Sequence, residues 1–486
     1  MADIENDDTT IKRICHCCIS ETYLASEVRS SGDEAECNYC GESAPSIGIG
    51  ELAERIEEAF SDHYARTADQ PNWWQERLMA DRESAYDWDR EGLPVNEAIQ
   101  EAAGIDEEPA ADVLEILDGK HARYPDKDNI GEESEFSSDS YYERRHPDFI
   151  GLHMGWHEFE RSLKTKARFF SRTAEELLSR IFGRADTLKT REGRPLVVDA
   201  GPETLLDHLY RSRVFQTEDG LSEALCRPDV SIASPPPKMA RAGRMNAHGI
   251  SVFYGATKAD VAIAEVRPPV GSRVVVARFD IVRRLRLLDL TAANDVHEEG
   301  SIFDPSFKER LHRAEFLRSL GRRMARPVMP NDEGIDYLPT QAVADFLATA
   351  NDPRLDGIIF PSAQVEVGYN VVLFHEAARV AEEAIPEGAE IAASTGHNSE
   401  DGWEVDYSVT EEVPPPEVSK ADGKDDGFLG TFLHHSQPLD PDDDDRQETL
   451  RLVMDSVKVH HVTWVKVSTE PHSVHRYRHE KRPPKY

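Results

Sequence analysis

The chain reads as an α+β protein, a small mixed or antiparallel sheet with helices, preceded by a cysteine ribbon and a helical region. Three observations carry this. Ile250 to Tyr254 is a short apolar, β-branched or aromatic run between Gly249 and Gly255, and a helical pattern follows it directly. Further strands are expected near 273–279, 284–290, 357–360 and 369–374, and helices near 258–266, 306–322 and 340–349. These lack the regular alternation that a doubly wound sheet requires. Ahead of them Leu52, Ile56, Phe60 and Tyr64 recur every four positions, as on one helix face.

The helix after Tyr254 has legible ends. Thr257, with Asp260 three residues on, is a capping-box variant, and Pro268 and Pro269 stop the helix. Glu265 then sits in the last turn, where a carboxylate opposes the helix macrodipole. Breaking a local rule in this way is a mark of functional positions. A solvent-facing acid on a surface helix is the plainer alternative.

Residues 48–190 are expected to be helical, with shorter helices near 96–103 and 109–118 and a solvated acidic loop over 126–143. Trp156, Phe159, Leu163, Ala167 and Phe170 form an apolar stripe. Leu177, Leu178, Ile181 and Phe182 continue it in a second helix closed by Gly183. Residues 191–380 are expected to form the core domain. Residues 381–445 are acidic, rich in Pro and Gly, and expected to be disordered. Leu450 to Val467 turns strand-like, so 446–486 should return to the core, with Arg476 to Lys485 as a frayed end.

Five of six cysteines lie in the first 40 residues. Cys15 and Cys18 are separated by two residues, as are Cys37 and Cys40, with eighteen residues between the pairs. Two such knuckles fit one tetrahedral structural Zn2+, closed to catalysis, within a zinc-ribbon-like module over 1–47. His16 and Cys17 compete for a ligand place, and a redox pair or chance clustering are the alternatives. The formal charge is −36, of which residues 191–380 carry only −2. That balance argues against nucleic acid as a main partner and suits a pocket for an anionic small molecule. No apolar run approaches the roughly 18 residues of a membrane span, and the acidic N-terminus is unlike a signal peptide, so a cytoplasmic protein is expected. No dinucleotide-binding glycine motif or P-loop is present.

Four separated motifs between Leu205 and Phe374 resemble the RES-domain family. They are Tyr210-Arg211-Ser212-Arg213, the run Pro235-Pro236-Pro237 before Arg244-Met245-Asn246, the strand–helix unit holding Tyr254 and Glu265, and Asp356-Gly357 through Pro361-Ser362 with Gly368-Tyr369-Asn370. The helical region resembles the HEPN-like domain found ahead of some RES domains, although no Arg-and-His nuclease motif is found: Arg145 and His153 are split by Pro147. The resemblance implies an ADP-ribosyltransferase-like fold and degradation of NAD+, with phosphate able to act as acceptor. It also points to a toxin of a toxin–antitoxin or defence system, restrained by a neutralising antitoxin protein.

Within that resemblance Glu265 is the carboxylate that would stabilise an oxocarbenium-like ribose as nicotinamide leaves. Arg211 and Arg244 would grip pyrophosphate or phosphate through the planar guanidinium fork. Tyr254 would stack on nicotinamide or ribose, or be a core tyrosine. Ser362, which lacks a nucleophile-elbow signature, is assigned to binding, with Asn370 as helper. Arg213, Arg241 and Arg267 read equally well as surface ion-pair partners. Hydrolysis, phosphorolysis and transfer of ADP-ribose to a macromolecule stay open, as does an inactive zinc-containing scaffold.

Overall fold

The computed structural model describes residues 12–81, 84–122, 133–145, 150–326, 328–329, 331–399, 402–414 and 444–479. Its contacts divide the chain into two compact units, Met1–Leu196 with Ala292–Arg323, and Val197–Thr291 with Met324–Tyr486. Residues 292–323, within the core domain expected over 191–380, thus cluster with the N-terminal part.

In the first unit, β1 (Arg13–Cys15), α1 (Thr22–Ser31), β2 (Asp33–Glu36) and β3 (Ser43–Gly48) form a three-stranded antiparallel sheet with one helix. The chain runs on through α2 (Ile49–His63), β4 (Tyr64–Arg66), α3 (Trp73–Ala80), β5 (Leu93–Pro94), α4 (Val95–Ala103), α5 (Glu107–His121) and β6 (Tyr141–Arg144). The four-residue spacing does its work here, because Leu52, Ile56, Phe60 and Tyr64 are all buried and Phe60 stacks on Tyr64 at 4.3 Å between ring centroids. One apolar cluster joins Ile14, Leu24, Val28 and Ile47 of the cysteine ribbon to Leu52, Ile99 and Val113 of α2, α4 and α5. The ribbon therefore shares its core with the helices that follow.

Next come α6 (Ile150–Thr165) and α7 (Arg172–Phe182). Trp156, Phe159 and Leu163 are buried, as are Leu177, Leu178, Ile181 and Phe182. The expected stripe ends early, however. The helix stops at Thr165, so Ala167 and Phe170 fall in the connection and are exposed. The acidic loop also differs from expectation where it is described, since β6 occupies Tyr141–Arg144 and Glu133 is drawn inward by Arg90 and Arg66; residues 126–132 lie outside the described residues.

The second unit is built on a ten-stranded mixed sheet. Its elements are β7 (Val197–Ala200), β8 (His208–Phe215), α8 (Glu218–Cys226), α9 (Pro228–Ser231), β9 (Phe253–Ala256), α10 (Ala259–Glu265), β10 (Arg273–Ile281) and β11 (Leu285–Asp289). Most of α11 (Phe307–Ala325) belongs to the first unit, where Phe316 packs on Trp156 and Arg313 donates to the Ile181 carbonyl. Then follow α12 (Glu333–Asp336), α13 (Leu338–Thr349), β12 (Gly357–Pro361), β13 (Tyr369–Leu373), β14 (Val380–Ala381), β15 (Glu390–Ser394), β16 (His397–Ser399), β17 (Gly402–Glu404), β18 (Ser408–Glu412), β19 (Leu450–Leu452) and β20 (Lys458–His461). The strand order is β14-β19-β10-β8-β9-β13-β12-β11-β7, with β20 also on β10. Pairs are antiparallel except β11 with β12 and β14 with β19.

The sheet is wider than the small one expected, because short pieces from both flanks join it. Three local differences have clear causes. β9 begins at Phe253 rather than Ile250, since the Ile250 carbonyl accepts from the Asn246 amide and the Ser251 carbonyl faces His375 Nδ1. Thr257 does not cap α10; Lys258 is the cap residue, and the Thr257 hydroxyl lies against the backbone of Tyr369. The strand pattern of Val457 to Val467 ends at His461 because β10 starts at Arg273, and Val462 makes the last pair of bonds, with Ser272 and Gly271. Within the acidic segment expected to be disordered, β15 pairs with β18 and β16 with β17, while 415–443 lie outside the described residues, as does the basic end over 480–486.

Glu133 offers a test of the first unit. The Arg90 hydrogen bond, opposed by burial, holds its carboxyl below the usual carboxylate range. A lowered folded-state pKa means stability that is present above the ordinary value near 4.3 and lost as pH falls through the folded value. E133Q should cost about 2 kcal/mol at pH 7, with the gap closing below about pH 4. Thermal melts of both proteins across that range measure it.

Candidate active site

Neighbouring strands bring the separated motifs together. Tyr254 of β9 lies opposite Val372, and Asn370 opposite Ala256, so by the two-residue alternation Tyr254 and Asn370 share one sheet face. β12 runs beside β13 and ends at Pro361, which delivers Ser362 to the same end. Helix α10 packs over this face, with Val261 buried and the Ser212 hydroxyl of β8 donating to the Ala262 carbonyl at 2.6 Å. Gly368 lets β13 approach α10, since a Cβ there would lie 2.3 Å from Val261 and its φ is +142°.

The carboxylate at the end of α10 is the meeting point. Ser362 Oγ donates to Glu265 Oε1 at 2.6 Å, and Asn370 Nδ2 donates to the same oxygen at 2.8 Å. The Ser362 oxygen in turn accepts from the backbone N–H groups of Gln364 and Val365. Its one proton is thus committed to Glu265, so Ser362 holds the carboxylate in place. Glu265 and Asn370 line a cavity of about 480 Å³ with Arg211, Arg244, Tyr254 and Arg267.

Arg211 replaces a missing stretch of ladder. β8 and β9 are paired only at Tyr210 and Ala256, and beside that point the guanidinium donates to the Tyr254 and Ile232 carbonyls, both at 2.7 Å. It also lies 5.1 Å from the Phe253 ring centroid. Burial, with the Arg213 charge adding to it, lowers its pKa to about 10, which still leaves it cationic at neutral pH. Arg244 is held by the carbonyls of Met324 and Arg326 and by the Tyr337 ring.

Tyr254 is anchored at its hydroxyl, which donates to Asn246 Oδ1 at 2.9 Å and accepts from the Met245 N–H at 3.0 Å. Burial raises its pKa to about 12, so it stays a neutral donor. Gly243 is required alongside, because a Cβ there would come within 2.6 Å of both the Tyr254 hydroxyl and Asn246 Oδ1. Asn246 is buried and donates to the carbonyls of Arg241, Ala247 and Ile250, folding the whole loop about itself. Its part was missed at the sequence level, although it stands inside the Arg-Met-Asn motif. Of the three arginines read as equal surface candidates, Arg267 alone lines the cavity. Its guanidinium lies against Gln364, whose amide oxygen accepts at 2.9 Å when oriented to satisfy both groups. Arg213 is exposed and bonds the Ser231 carbonyl.

In the first unit the four thiols converge. Sγ of Cys15, Cys18, Cys37 and Cys40 all lie within 4.8 Å of one another, with Cys15 3.7 Å from Cys18 and 3.5 Å from Cys40, and Cys18 3.8 Å from Cys37. A tetrahedron of thiolates at about 2.3 Å from an ion has edges of about 3.8 Å, so the donor set fits a divalent metal. Cys17 points elsewhere, with Sγ 3.5 Å from His16 Nε2, and the His16 Nδ1 faces the Pro45 carbonyl. The ribbon is fastened to α5 by Tyr39, whose hydroxyl donates to Asp112 at 2.7 Å.

Comparison with known proteins finds two family matches in the chain. Residues 223–395 match the RES domain, and residues 30–176 match HEPN/RES N-terminal domain 1. The chain is a RES-domain protein with an N-terminal HEPN-like domain. No curated protein and no solved structure matched it. Among the described residues no helix is long and apolar enough to cross a membrane.

The cysteine cluster predicts one tightly held divalent ion per chain, readable by elemental analysis of protein purified without chelator. Because the ribbon shares its core with α2, α4 and α5, Cys37→Ser should raise hydrogen exchange in those helices as well as in the ribbon.

Proposed function

We propose that this protein consumes NAD+, breaking the bond between nicotinamide and ribose. The RES domain supports an NAD-related, toxin-like function at the level of the family. The observation that carries the reading for this chain is the Glu265 carboxylate, fixed by Ser362 and Asn370 in a cavity that also holds three arginines. As the C–N bond lengthens, its electron pair goes to the pyridinium nitrogen, and positive charge gathers on the ribose. Glu265 is a preorganised negative charge for that centre. Nicotinamide leaves neutral, so no strong general acid is needed. Arg211, Arg244 and Arg267 supply cationic donors for the pyrophosphate, and the Tyr254 ring, pinned at its hydroxyl, offers a face to nicotinamide or ribose. Water or inorganic phosphate then attacks the anomeric carbon.

In the same reading the metal of the cysteine cluster is a structural Zn2+, and the activity is restrained in its cell by a neutralising antitoxin protein. The acidic surface supports a small-molecule substrate rather than nucleic acid, acting in the cytoplasm.

Product analysis after incubation with NAD+, with and without phosphate, tests the reading and identifies the acceptor. Glu265→Gln preserves shape and removes charge, so nicotinamide release at saturating NAD+ should fall by roughly 10² to 10³ while binding persists. An undiminished rate would remove Glu265 from the chemistry. Asn370→Ala, which leaves Ser362 in place on Oε1, should give a smaller loss, about tenfold.

A further inference from the structure

The corner between α12 and α13 stands outside every motif read from the sequence, yet it closes one wall of the cavity through Glu333 and Tyr337. Its contacts with the Gly243–Arg244 loop are dense. The Arg244 guanidinium carbon sits 5.5 Å from the Tyr337 ring centroid. The Thr340 hydroxyl bonds the Arg244 and Tyr337 carbonyls, and Gln341 Nε2 donates to the Gly243 carbonyl at 2.8 Å. Tyr337 itself is steadied from its far end, where its hydroxyl donates to Glu333 Oε1 at 3.3 Å.

These bonds have unequal consequences for Arg244. The carbonyls of Met324 and Arg326 both accept from Nη1. Among the described residues Nε and Nη2 make no hydrogen bond, so those donors remain for a ligand. Carbonyls at one nitrogen fix where the guanidinium is, but the plane of a fork gripped at one corner can still turn. The Tyr337 ring, with the guanidinium carbon over it at 5.5 Å from the centroid, restricts that rotation. A guanidinium with a fixed plane presents its donors in the paired geometry that phosphate oxygens require, which a point charge does not do.

We infer that Tyr337 is a positioning residue for Arg244, and that the two together set the preference of the site for a pyrophosphate-bearing dinucleotide over its phosphate-free nucleoside. This rests on the NAD+ reading of the cavity. It assigns to a residue of the α12–α13 corner the specificity for the anionic part of the substrate, leaving bond cleavage to Glu265.

The test uses the full chain and two readouts. Calorimetric titration with ADP-ribose, which binds without reacting, should show Tyr337→Ala about tenfold weaker than wild type, within the range expected for a desolvated cation–π contact, and Tyr337→Phe within twofold. In an Arg244→Ala background the further change Tyr337→Ala should add less than twofold, because its effect runs through the arginine. Kinetically, Y337A should raise KM for NAD+ about tenfold with kcat within twofold, and leave kcat/KM for nicotinamide riboside, which has no phosphate, unchanged. Full loss in the R244A background, or equal damage with the riboside, would overturn the inference and show a merely structural wall. If wild type binds ADP-ribose with the predicted Tyr337 dependence but releases no nicotinamide, the NAD+-cleavage reading fails and the positioning role stands.

Discussion

Two donors on one carboxylate oxygen hold the second unit's site together. Glu265 ends a seven-residue helix, where the macrodipole disfavours negative charge by a few tenths to about 1 kcal/mol. The Ser362 hydroxyl and Asn370 amide offset that cost, and charge-assisted hydrogen bonds are roughly twice as strong as neutral ones. Because Asn370 lies in β13 and Ser362 directly follows β12, the same two bonds fasten the end of α10 to the sheet. The charge is therefore stationed where a helix alone would reject it, and the two bonds to one oxygen fix where the carboxylate sits.

The rest of the cavity shows the same economy. Arg211 stands in for ladder bonds where β8 and β9 part, Arg244 is secured by carbonyls and a ring, and Tyr254 by Asn246 and the Met245 N–H. Each of these three side chains is thus held by its own supporting contact. Such preorganisation matters most for stabilising a developing charge, since no reorganisation remains to be done during the reaction.

Much of this was legible in the sequence because the local signals were strong. The runs that became β10 to β13 carry dense apolar pattern between turn residues, and the paired cysteines and the four-residue spacing of Leu52, Ile56 and Phe60 have few alternative readings. What stayed hidden was set by tertiary neighbours. Thr257 has the sequence of a cap, but the backbone of Tyr369 is nearer; Phe170 continues a periodicity after its helix has ended; Glu133 looks solvated until Arg90 and Arg66 fold over it. Within the cavity, Glu265 and its arginines were marked by motif, whereas Tyr337 lies in a corner whose sequence carries no periodic or catalytic signal at all.

The two units divide this legibility in an instructive way. The cysteine cluster is the clearest chemical signal in the chain, yet its ligands are saturated by one another and its ribbon is welded by Ile14, Leu24 and Ile47 to the core of α2, α4 and α5. A closed donor set with no open position offers a metal nothing to activate, so its free energy goes into folding. Glu265 is the converse case: a locally unfavourable residue whose contacts tie down one of its two oxygens. The two cases differ in whether the surrounding contacts satisfy a residue completely or leave part of its charge available. By that criterion the cysteines are relieved, and Glu265, with one oxygen held and the other without a bonded donor among the described residues, is not.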